Sequence, residues 1–107
     1  MNIVNLTPHS ITFILENGEK RTVLPSGIVA RVGEISEFVT YYDGIPVYRK
    51  RYADTENLPE PTEDTVLIVS AMVRLANPDR TDLVSPGDLI RNEDGVVIGC
   101  KGLVVNF

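Results

Sequence analysis

The sequence predicts a mainly β protein, a small antiparallel barrel or sandwich carrying one short helix, with an α+β arrangement as the neighbouring alternative. Three observations point there. Short runs of β-branched and aromatic residues recur along the chain, turn residues separate them at close intervals, and only one stretch has a helical pattern with start and stop signals.

Taken in order, Ile11, Phe13 and Leu15 lead into Glu16-Asn17-Gly18-Glu19, whose Asn-Gly pair predicts a type I′ hairpin with a returning strand from Lys20 to Leu24. Pro25-Ser26-Gly27 interrupts, Ile28 to Val32 reads as a strand, and Gly33 breaks it before a strand over Glu34 to Tyr42. Asp43-Gly44 is a tight turn. Because Pro46 has no N–H to donate, the following segment, Ile45 to Tyr52, is expected at a sheet edge or to begin with a bulge. Asp54 to Asp64, DTENLPEPTED, holds five acids, two prolines and no base, so it reads as a solvent-facing loop, either a plain connector or a flap over a pocket. Thr65 to Val69 is a continuous apolar run, the pattern of a central strand covered on both faces. Ser70 then caps a short helix, with Met72, Val73 and Ala76 or Leu75 turned inward, and Asn77-Pro78 ends it. Ser85-Pro86-Gly87-Asp88 reads as a turn, followed by strands over Leu89 to Asn92, Val96 to Cys100 and Leu103 to Phe107, with a turn at Glu93-Asp94-Gly95.

At 107 residues with 43% apolar content, the chain suits one domain, residues 1–107, with one core. A net charge of −5 argues against general nucleic-acid binding, which needs clustered cations to displace counterions. Cys100 is the only cysteine, so no internal disulfide and no cysteine-based zinc site can form. No apolar window reaches a membrane span and MNIVNLTPHSITFIL lacks signal-peptide features, so a cytoplasmic protein is expected.

Residues with the chemistry for catalysis are few. A Cys–His pair would have to join Cys100 to His9, which nothing in their spacing supports; Cys100 reads instead as a structural thiol. His9, after Thr7-Pro8, either stabilises a turn or serves as a ligand or base. A lone histidine is weak ground for a metal, and no metal or cofactor is expected. Ser70 is not a nucleophile elbow, since Ile68 and Met72 stand where glycines are required. Gly95, Gly99 and Gly102 lack phosphate-loop spacing.

The stretch from Thr65 to Gly102 carries a loop dense in Arg and Asp beside an apolar strand. Arg74, Arg80, Asp82 and Arg91 are close enough in sequence for three guanidinium forks to converge on an anion; the alternative is an internal Arg–acid network such as Arg80–Asp82. Arg49-Lys50-Arg51 lies between Tyr48 and Tyr52, with Arg49 and Arg51 on the opposite strand face from Tyr48, Lys50 and Tyr52. That pattern suits either a charge-protected edge or stacking of bases on aromatic rings.

NLTPHSI near the N-terminus and IVSAMVRLANPDRTDLVSPGDLIRNEDGVVIGCKGL near the C-terminus, with Ile45-Pro46-Val47 between them, resemble a group of short proteins carried by bacteriophages, prophages and actinobacteria. No catalytic motif is established for that group, so the resemblance transfers no active site. It implies a setting, the host bacterial cytoplasm, and a role in binding and neutralising host factors. One form of that role is an oligomeric sponge that sequesters a cyclic or NAD-derived nucleotide signal. The expectation is a non-enzymatic, homo-oligomeric binding protein taking an anionic nucleotide-like ligand at Arg74, Arg80, Arg91, Asp82, His9 and Tyr48. The alternatives are a phage structural or interaction module that binds a host or phage protein, and a small enzyme using His9 with Asp82 or a neighbouring acid.

Overall fold

A computed structural model describes all residues from Met1 to Phe107. The chain is mainly β with one short helix. Its elements run β1 (Asn2–Asn5), β2 (Ile11–Ile14), β3 (Lys20–Val23), β4 (Glu34–Tyr42), β5 (Ile45–Tyr52), β6 (Thr65–Ile68), α1 (Ala71–Ala76), β7 (Leu83–Arg91) and β8 (Val97–Val105). Six strands form one sheet in the order β1-β6-β7-β8-β2-β3, and β4 and β5 form a separate two-stranded ribbon.

The large sheet is mixed, not purely antiparallel. β6 runs parallel to both β1 and β7, and β2 parallel to β8, while β7–β8 and β2–β3 are antiparallel. Helix α1 accounts for part of this, because two parallel strands in sequence need a crossover and the β6–α1–β7 segment supplies it. The sheet also curls. Its two edge strands meet where Asn5 bridges to Pro25, just past β3, with Ser26 N–H donating to the Asn5 carbonyl at 2.9 Å, so the six strands make a barrel-like enclosure. Phe13, Ile68, Val84 and Cys100 fill its interior, joined by Ile3, Ile11, Val23 and Val66. Where β2 crosses β8, Gly99 is needed: a Cβ there would lie 2.9 Å from the Thr12 carbonyl oxygen.

Alternation along β6 puts Ile68 inside the barrel and Leu67 outside, where it joins Leu6, Ala30, Val69, Val73 and Leu83 in a second core beneath α1. β6 is therefore covered on both faces, as its apolar sequence predicts.

Several local expectations are corrected. The β2–β3 connection is not a type I′ turn: Gly18 alone has positive φ, at 86°, and the Gly18→Leu15 and Leu15→Glu19 main-chain bonds make a longer loop with a left-handed glycine. The tight I′-like pair of positive φ values occurs instead at Asp43 and Gly44, between β4 and β5. Ile28 to Val32 is not a strand; a single bridge, Arg31 to Glu56, is all it forms. The turn expected at Ser85–Asp88 and the break expected at Gly102 are both absorbed into long strands, where Pro86 faces Leu103 and Gly87 faces Gly102. Proline is tolerated because β6 accompanies β7 only as far as Val84, leaving the far edge of β7 free at Pro86. In α1 only Val73 is buried, and Met72 and Leu75 remain exposed. The Asp54–Asp64 segment forms no strand or helix, but Leu58 packs on the second core and the Pro59 carbonyl is held by Arg80.

Asn5 holds the barrel seam with its side chain as well. Its buried Nδ2 donates to the carbonyls of His9 (2.8 Å) and Val23 (3.1 Å), and Oδ1 accepts from Thr7 N–H (2.9 Å) and Thr7 Oγ1 (2.7 Å). Asn5→Ala is expected to destabilise the fold by about 2–3 kcal/mol, since it strands buried donors and acceptors. Asn5→Asp should cost more, because a carboxylate would face two carbonyl oxygens. Urea unfolding of both variants checks the order.

Candidate functional site

The three arginines do not meet around a common cavity. Arg74 leaves α1 to donate Nε–H to Ser85 Oγ at 2.8 Å and a terminal nitrogen to Asn106 Oδ1 at 3.2 Å. Arg80 grips Asp82 with two bonds, 2.9 and 2.8 Å, and reaches the Pro59 carbonyl at 2.8 Å. Arg91, at the far end of β7, donates to the Gly95 carbonyl at 2.9 Å and closes the β7–β8 turn. Each guanidinium is bonded to its own chain.

The Arg80–Asp82 pair is partly sheltered, with side-chain exposures of 21% and 13%. The hydrogen bonds from Arg80 hold the Asp82 carboxyl below its ordinary pKa, against the opposing effect of burial, and the same bonds raise Arg80. Through Arg80 the pair fastens the Asp54–Asp64 segment to the start of β7.

Asn106 is the residue that sequence reasoning missed. Its Nδ2 lies within 3.2 Å of three carbonyls, those of Arg74, Asn77 and Arg80, so one amide collects the free acceptors at and beyond the end of α1. An asparagine beside the last strand, in Val104-Val105-Asn106, gives no local sign of this use.

Of the remaining candidates, His9 is exposed, contributes its carbonyl to the Asn5 network, and borders an open groove of about 470 Å³ with Ser10, Thr12, Leu89 and Ile98. Cys100 is buried at the base of that groove, and burial pushes its thiol pKa up, which suppresses the thiolate needed for nucleophilic chemistry. A second groove, about 560 Å³, is bordered by Arg31, Asp54, Glu56 and Ser70; its acids offset its single cation. No group of three or more His, Cys, Asp or Glu side chains is placed to hold a metal ion, and no helix is long and apolar enough to cross a membrane.

Tyr48 belongs to a different place altogether. β4 and β5 project as a ribbon, and the chain's radius of gyration of 16.9 Å exceeds the ~13 Å of a compact domain of this length. No ribbon residue is fully buried. The pairing Phe38–Tyr48, and beyond a bulge at Val39 the pairing Tyr41–Pro46, put these four residues on one face. Phe38 stacks edge-on to Tyr48 at 6.0 Å and lies 5.0 Å from Tyr41. The rings are 53%, 56% and 64% exposed, an apolar surface of the kind that marks contact sites.

No protein-family model, curated protein or solved structure matches this chain.

Asp82→Asn is expected to cost about 1–2 kcal/mol at neutral pH, between the values of exposed and buried pairs. Because the folded-state pKa of Asp82 is depressed, the pair's contribution exists above the unfolded carboxyl value of about 4 and is lost as pH falls through the folded one. Unfolding curves of wild type and variant should therefore converge on acidification.

Proposed function

We propose that this chain is a non-enzymatic binding module whose working surface is the β4–β5 ribbon and whose partner is a protein. The observation that carries this reading is the ribbon's exposed aromatic face. An isolated two-stranded ribbon is marginal in water, and one that spends three rings on solvent gains stability once another surface covers it. In the bacteriophage setting that the sequence resemblance implies, such a module serves as a structural component or as a protein that occupies a host factor.

The nucleotide-sponge reading draws less support, since Arg74, Arg80 and Arg91 already have partners within the chain and line no shared cavity. An enzymatic role for His9 with Asp82 is supported no better, as Asp82 is taken by Arg80.

Affinity capture on tagged wild-type chain is expected to retain a stoichiometric protein that the Tyr48→Glu variant, equally folded by circular dichroism, does not retain. A panel of cyclic dinucleotides and ADP-ribose derivatives is expected to leave the melting temperature unmoved. A clear thermal shift with one of them, abolished by replacing Arg74 or Arg80 conservatively with Lys, would transfer the assignment to anion capture.

A further inference from the structure

The aromatic face has a charge pattern as specific as its rings. Cross-strand partners share a face, so Glu34 and Tyr52, Ser36 and Lys50, Phe38 and Tyr48, and Tyr41 and Pro46 stand together from the base of the ribbon to its tip. The one cation on this face, Lys50, is paired with Glu34 at 3.6 Å, and on the opposite face Arg51 is paired with Glu37 at 2.9 Å. The aromatic face is thus neutral, although the chain as a whole carries −5. A neutral face with its cation already paired is poorly suited to an acidic protein or a phosphate backbone, both of which select for unpaired Lys and Arg. It is well suited to a copy of itself, because a two-fold contact sets each patch against the same patch, and only a neutral or self-complementary one meets its twin without repulsion.

The exposed rings supply about two thirds of the area that a specific two-fold contact needs. With aromatic side chains carrying roughly 150–250 Å² each, and Phe38, Tyr41, Tyr48 and Tyr52 exposed by 53, 64, 56 and 41%, one copy offers roughly 400 Å². Two copies stacked face to face would cover on the order of 800 Å² from rings alone, before Pro46 and the main chain are counted, against the ~1,200 Å² at which specific interfaces begin. Stacking also supplies the second layer that a lone ribbon lacks.

We infer that the partner of the ribbon is a second copy of this chain, the two ribbons packing through the face that carries Phe38, Tyr41 and Tyr48. This rests on the reading of the ribbon as a protein-contact surface and names its occupant. Edge-to-edge joining is the weaker geometry, because it leaves the aromatic face in water, and Pro46 and the basic run at Arg49-Lys50-Arg51 guard the β5 edge.

Sedimentation velocity and light scattering of the full chain test it. The wild type is expected to have twice the 11.8 kDa chain mass, or an even multiple of it. Phe38→Ser and Tyr48→Glu are each expected to weaken self-association more than about tenfold, with unchanged circular dichroism. Ile98→Glu, at an exposed position of β8 outside the ribbon, serves as control and is expected to leave the assembly intact. A wild-type chain that stays monomeric at its highest soluble concentration overturns the inference, as does an assembly that Ile98→Glu dissolves and Tyr48→Glu does not. If the chain is monomeric yet Tyr48→Glu loses a captured partner of different sequence, the contact-surface reading survives without the second copy. If substitutions on the aromatic face alter neither assembly nor capture, both readings fall.

Discussion

The barrel depends on a seam. Six strands curl into an enclosure only if the first and last of the sheet find each other, and here they meet at one residue, whose main chain bridges to Pro25 and whose side chain ties Thr7, His9 and Val23. An amide is the one small side chain that presents two donors and an acceptor with two lone pairs, and all are used at Asn5. The tight path from Asn5 to His9 follows from it. Ile3, Ile11 and Val23, on the strands that flank the seam, pack against the barrel interior.

Around that seam the molecule is lightly built. Only 12 of its 107 residues are buried, and the apolar ones among them divide into two small clusters on either face of β6. Neither cluster is large enough to be indifferent to its polar fittings. This explains why so many side chains with chemical potential are used as fasteners: Arg74 and Asn106 secure α1 to the last strand, and Arg80 with Asp82 secures the acidic segment that helps cover the outer cluster. Charge that resembles a binding loop in sequence is, in the fold, joinery.

The sequence was informative where local chemistry decides the outcome. The β4 and β5 strands, the turn at Asp43-Gly44, the central β6 and the helix capped by Ser70 all follow from alternation, left-handed turn residues and capping. It was misleading where a distant partner decides. Pro86 and Gly87 have turn propensity, yet the ladder with β8 keeps them extended; Val96 to Phe107 shows a glycine break that the same ladder bridges. Parallel pairing of β1, β6 and β7 has no local signature at all, since it depends on which strands the crossover brings together. The arginines show the same limit. Their sequence proximity is real, but side chains on a strand end, a helix and a turn diverge in space. The ribbon's strands and the shared face of Tyr48 and Tyr52 were legible, but its aromatic cluster was not, because the bulge at Val39 that gathers Phe38 and Tyr41 onto one face is a property of pairing, not of composition.

The way the ribbon leaves the barrel ties its tip to the interior. Below β4 and β5 the two strands continue as Gly33 with Ala53 and Arg31 with Glu56, and these residues adjoin Ala30 and Leu58, which cover the outer cluster. The ribbon is thus a lever whose root is the lid of a core. A partner that restrained its tip would restrain that lid as well, linking ligation there to the local stability of the outer cluster.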